Sequence, residues 1–100
     1  MIKHIVIWRL KETAHGNDKR TNAWLIKEKL ERLRGKIPGL LVMEVGIDHS
    51  ATESSGDVVL YSEFTSQEAL NGYQSRPEHK AIMPFVAEAR LERRVVDYEV

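Results

Sequence analysis

Two alternating periodicities constrain this chain more than any other feature. Apolar residues that recur at every second position mark strands, and those that recur every three or four mark helices. Along the sequence the segments run strand, helix, strand, strand, helix, strand. Residues 2–10 read as the first strand, with Ile2, His4, Val6, Trp8 and Leu10 on one face and Lys3, Ile5, Ile7 and Arg9 on the other. A polar loop, 11–17, leads to a helix over about 18–34, capped by Asn17 or Asp18 and closed by Gly35. Its apolar stripe is Ala23, Ile26, Leu30, Leu33 and Ile37, widened by Trp24.

Pro38-Gly39 turns the chain into a strand over 40–48, where Leu41, Met43, Val45 and Ile47 share one face. The Ser- and Thr-containing stretch 49–56 is an exposed hairpin loop. It leads to a strand over 57–64, with Val58, Leu60, Ser62 and Phe64 on one face and Val59, Tyr61 and Glu63 on the other. Thr65-Ser66-Gln67-Glu68 fits a capping box that opens the second helix. That helix breaks at Arg76-Pro77 and resumes through His79 to Ala89, with Ala81, Ile82, Phe85, Val86 and Ala89 as its stripe and Pro84 as a kink. Residues 91–100 form the last strand.

This order in 100 residues predicts one α+β domain, 1–100, of ferredoxin-like β-α-β-β-α-β topology. The helices cover one face of a four-stranded antiparallel sheet. The other face, with Ile5, Ile7, Val59 and Tyr61, stays apolar and bare in a monomer. A second copy of the chain is the simplest cover, so a homodimer is expected.

Charge and composition exclude several classes. The 15 basic and 15 acidic residues balance, which gives no basic patch for nucleic acid. The absence of cysteine removes disulfides, iron–sulfur clusters and thiolate zinc sites. Lys3, His4 and Arg9 interrupt the first apolar run, so a signal peptide or membrane span is not expected, and the location expected is cytoplasmic. The four histidines lie in four separate segments with no metal-binding spacing, so neither metal nor cofactor is expected.

The stretch Tyr73-Gln-Ser-Arg-Pro77-Glu-His79 carries the chemistry. Six residues of straight helix rotate by about 600 degrees and put two side chains on largely opposite faces. A bend at Pro77 lets Tyr73 and His79 converge. A phenol can hold a carbonyl or enolate oxygen, and an imidazole can act as a base. The plainer alternative is a histidine that braces the kink by bonding to backbone or to Tyr73. His4 reads as a core histidine or a pocket residue, and Trp8 and Trp24 as core packing or the wall of a cavity. His15 and His49 fall in loops. Glu63, Asp97 and Glu99 alternate near Arg9, Arg93 and Arg94 and are expected to pair with them.

With Met1-Ile2-Lys3-His4-Ile5-Val6-Ile7-Trp8, Leu60-Tyr61-Ser62-Glu63-Phe64, the Tyr73–His79 stretch and Val95-Val96-Asp97-Tyr98-Glu99 in this order, the chain resembles the stress-responsive dimeric α/β-barrel (Dabb) family over nearly its whole length. The resemblance implies a homodimeric barrel made of two facing sheets. Most of the family has no assigned reaction. One plant branch, of the olivetolic acid cyclase type, closes a linear polyketide by aldol condensation without a cofactor. Its catalytic base falls on His79 and its oxygen-binding tyrosine on Tyr73. A pocket histidine falls on His4, Val58 stands where that branch has a further histidine, and Trp24 is what remains of its aromatic cluster.

Three functional readings follow. The first is a homodimer that binds a small hydrophobic or carbonyl-containing molecule, in a cavity between helices and sheet lined by His4, Trp8, Trp24, Val58, Tyr73 and His79. The second is a cofactor-independent, cyclase-like acid–base enzyme. The third is a purely structural dimeric module. A cavity holding Tyr73 and His79 separates the first two from the third.

Overall fold

The computed structural model describes every residue, Met1–Val100. The elements are β1 (Ile2–Leu10), β2 (Thr13–Ala14), β3 (Asn17–Asp18), α1 (Lys19–Glu31), β4 (Leu40–Ile47), β5 (Val58–Phe64), α2 (Gln67–Ser75), α3 (Pro77–Ala89) and β6 (Arg90–Glu99). The main sheet has the order β4-β5-β1-β6, with every neighbouring pair antiparallel. This is the ferredoxin-like arrangement expected from the periodicities.

The core lies between this sheet and the helices. Val6, Trp8 and Leu10 from β1, Val58, Leu60 and Phe64 from β5 and Met43 and Val45 from β4 meet Ile26 and Leu30 of α1 and Leu70, Ile82 and Val86 of α2 and α3. Burial of this one-sided apolar surface is the main force holding the helices on the sheet. The opposite sheet face carries Ile5, Ile7, Val59, Tyr61, Val96 and Tyr98, side by side in register. No element of the chain covers it, and Ile7 is 42% and Val96 60% exposed.

Local details depart from expectation for identifiable reasons. The 11–17 loop contains a small β2–β3 hairpin, turned by His15 and Gly16 at φ 56° and 75°. Glycine adopts that conformation without steric penalty. Asp18 caps α1 through the Thr21 N–H, and the helix ends at Glu31, three residues before 34. Leu41 points to solvent and not to the core, because the β4–β5 register shifts between Leu40 and Val42. An extra residue at a bulge reverses the alternation locally. The second helix is capped by Ser66, which accepts from the Ala69 N–H, and not by a Thr65–Glu68 box. Ala81 is exposed, and Trp24 lies 50% exposed outside the α1 stripe.

Pro77 ends α2 and opens α3 as its first residue, and Pro84 sits inside α3 without ending it. No helix is long and apolar enough to cross a membrane.

Candidate functional site

The break between α2 and α3 is built from backbone chemistry. Pro77 has no N–H, so the Tyr73 carbonyl accepts from the Arg76 N–H instead. The Gln74 carbonyl, which the next turn of a continuous helix would have paired, accepts from His79 Nδ1–H at 3.2 Å. His79 therefore braces the break. Its Nδ1 carries the proton, because a carbonyl can only accept, and Nε2 is left as the free basic nitrogen.

The bend brings the two side chains together. The Tyr73 and His79 rings lie 4.5 Å apart at 60°. Phe64 of β5 sits 5.3 Å from Tyr73 and 6.4 Å from His4, so the four rings form one run from α3 to β1. Tyr73 is 1% exposed, and its hydroxyl has no hydrogen-bond partner. Burial pushes the phenol well up, so it is a neutral donor at physiological pH.

Burial lowers the pKa of His79, opposed by the Gln74 carbonyl and assisted by the nearby His4 and Arg93. The imidazole is thus favoured in its neutral, basic form. The unfolded chain, with its histidine near the ordinary 6.5, takes up the proton first as pH falls. Stability from this group is complete above that value and declines below it. A thermal melt series from pH 7 to pH 5 should show wild type losing more than His79→Gln. Titration of His79 above 6.5 in an NMR series would contradict the sign.

His4 is 2% exposed on β1, and its Nδ1 lies 2.5 Å from Asp97 Oδ1 of β6. The carboxylate can only accept, so Nδ1–H donates and Nε2 is free. Antiparallel pairing places His4 directly opposite Asp97. Sequence reasoning missed this partner and assigned Asp97 to an arginine. The order of strands across the sheet identifies it, and that order is a property of the whole fold. Neither Glu63 nor Glu99 forms the arginine pair expected of it: Glu63 accepts from the Tyr61 hydroxyl, and no ion pair involves Glu99. His15 is exposed, as expected of a loop histidine, and it also stacks on Phe85 at 4.2 Å and donates to its carbonyl.

The other expected wall residues scatter. Trp8 and Val58 are buried in the core. Val58 also borders a cavity of about 270 Å³ with Ile7, Gly46, Gly56 and Val59 at the bare sheet face. Trp24 borders a separate groove of about 600 Å³ beside Arg20, Ile47 and His49. Tyr73 lines a cleft of about 170 Å³ with Pro38, Glu68, Ala69, Gly72 and Arg76. The one cavity expected to hold all six side chains is thus divided. His4, Tyr73 and His79 are linked by ring contacts through Phe64; Trp8 and Val58 lie in the core, Trp24 stands apart, and none of these three clefts is lined by both Tyr73 and His79. No three His, Asp or Glu side chains converge as a metal site would require.

A four-stranded antiparallel sheet with helices on one face and a bare apolar face defines the ferredoxin-like class of α+β domain. Within that class the chain belongs to the stress-responsive A/B barrel (Dabb) family, whose model matches residues 2–100. A dimeric protein of unknown function and ferredoxin-like fold from Bacteroides fragilis NCTC 9343 is 33% identical, with 99% of this chain and 95% of that chain covered and a TM-score of 0.87. A Dabb family protein from Mesorhizobium loti MAFF303099 is 20% identical, with 99% and 95% covered and a TM-score of 0.74. Hydroxynitrile lyase from Passiflora edulis shares the fold at 16% identity, with 99% and 92% covered and a TM-score of 0.81. No functionally curated protein matches the chain.

Proposed function

We propose that the protein is a homodimer that binds a small carbonyl-containing molecule at Tyr73 and His79. The observation that carries the binding is the Tyr73 hydroxyl, buried and without a partner. A buried donor left unpaired costs about 1–3 kcal/mol, and a ligand oxygen is an acceptor that removes the cost. The dimer is supported by the bare apolar sheet face and by the dimeric relative from Bacteroides fragilis.

Tyr73→Phe keeps the ring and deletes only the unpaired donor. Its melting temperature without ligand should equal or slightly exceed that of wild type. Affinity for benzoylacetone, a neutral aromatic β-diketone used as probe in calorimetry, should drop about 10-fold, the equivalent of one modest hydrogen bond. Equal affinity in both proteins, or no binding to wild type, leaves the packing-only reading of these residues standing.

A second reading, a cofactor-independent acid–base enzyme, is favoured by one further observation. His79 has Nδ1 fixed on Gln74 and is held neutral by burial, so Nε2 is available as a base. A carbon acid bound with its oxygen on Tyr73 would pass its proton to His79 Nε2. The electron pair would move to the carbonyl oxygen, and the Tyr73 hydroxyl would stabilise the enolate. Such assistance contributes about 100- to 10,000-fold in rate. Proton–deuterium exchange at the central carbon of benzoylacetone should therefore slow by that range in His79→Ala, with melting and oligomeric state recorded alongside. Unchanged exchange in a folded variant reduces His79 to a brace.

A further inference from the structure

Only two buried side-chain polar atoms in the molecule lack a hydrogen-bond partner, Tyr73 Oη and Arg76 Nε. They come from residues one helical turn apart on α2 and at its C-cap. Both residues line the cleft of about 170 Å³, together with Pro38. Both unpaired atoms are donors, one neutral and one cationic. Buried donors without acceptors are rare, and the two residues that carry them line one cleft, a pattern that a ligand with acceptor oxygens would complete.

The charges around the guanidinium set what kind of acceptor fits. Arg76 Nη2 donates to Glu78 Oε2 at 2.8 Å, so one side of the guanidinium is already engaged. Glu78 also lies within the influence of Lys36. Glu68 stands exposed at the cleft. With Arg76 and Lys36 against Glu68 and Glu78, the cleft carries no surplus of positive charge. A multiply charged phosphate would be repelled by the two carboxylates, whereas a single carboxylate needs only the free Nε–H and the partly unspent guanidinium charge.

We infer that Arg76 makes this cleft selective for a carboxylate-bearing ligand, the acid group accepting from Arg76 Nε–H and a second oxygen of the same molecule accepting from the Tyr73 hydroxyl. The inference rests on the proposed binding at Tyr73 and narrows its ligand to carbonyl acids. Arg76 is a specificity residue in this scheme. It holds the ligand and takes no proton.

The test compares two probes that differ by one acid group, benzoylacetone and benzoylpyruvate, at fixed ionic strength. Calorimetry should give benzoylpyruvate about 10-fold tighter binding to wild type, the advantage of one charge-assisted hydrogen bond. Arg76→Gln should erase that advantage and bring the two probes to equal affinity. Glu78→Ala, which frees Nη2, should strengthen benzoylpyruvate alone. Circular dichroism melts confirm that each variant folds. If benzoylacetone binds but the acid group adds nothing, or its advantage survives Arg76→Gln, the carboxylate assignment is overturned and the Tyr73 reading stands. If neither probe binds wild type, both fall together.

Discussion

Ile7→Asp should convert a dimer into monomer or aggregate. Ile7 sits at the centre of the bare sheet face, with Val59 and Arg94 beside it in register and Ile5, Tyr61 and Val96 next along the strands. In the single chain it is already 42% exposed, so a charge there costs the isolated fold little. Against a facing apolar sheet the same carboxylate would be buried without a partner, a penalty of about 3–5 kcal/mol. That corresponds to a dimer dissociation constant roughly 100- to 4,000-fold weaker. Ile7 also packs under Gly56, whose position leaves no room for a Cβ. Some effect could therefore arise within one chain. Val96→Asp separates the two causes, because Val96 is 60% exposed and lies on an edge strand away from Gly56. Sedimentation at micromolar concentration should show wild type as dimer and both variants shifted toward monomer. A monomeric wild type would remove the basis for the dimer, and a dimeric Val96→Asp beside a monomeric Ile7→Asp would trace the Ile7 effect to its packing under Gly56.

The same strand arithmetic shows what a sequence can disclose. Alternation along residues 2–10 and 57–64 assigned each residue to its face, because the side-chain period of a strand is fixed by local geometry. The helix break at Arg76-Pro77 was equally readable, since a missing N–H is a property of one residue. Bulges and cross-strand partners are not local. Leu41 looked like a core residue until the shift between Leu40 and Val42 turned it outward. Asp97 looked like half of a surface ion pair until β6 was placed beside β1. In the site, convergence of Tyr73 and His79 followed from the proline. The unpaired state of the Tyr73 hydroxyl did not, because it depends on every neighbour that fails to reach it. Trp24 shows the converse error. An aromatic near a helical stripe reads as a wall of the core, yet a rotation by one position leaves it half in solvent.

The His4–Asp97 pair yields the sharpest stability prediction. His4 is buried among Ile2, Val6 and Phe64, and the Asp97 carboxylate is the only group that accepts its Nδ1–H. The Asp97 side chain is 36% exposed, so Coulomb attraction is screened and the pair is valued here as a hydrogen bond. Asp97→Ala strands the imidazole donor in the core, at a cost of about 1–3 kcal/mol. In a domain of this size each kcal/mol lowers the melting temperature by roughly 4–8 °C. His4→Leu in the same background removes the stranded donor, and an apolar pair of similar shape can be nearly neutral. The double variant should therefore melt several degrees above Asp97→Ala alone, although it carries one more substitution. Additive losses would mean that the pair is not coupled and that His4 finds another acceptor. Benzoylacetone affinity measured on the double variant then divides structure from function. Retained affinity makes His4 a core residue only, whereas its loss in a stable, dimeric protein places the free Nε2 of His4 among the groups that hold the ligand.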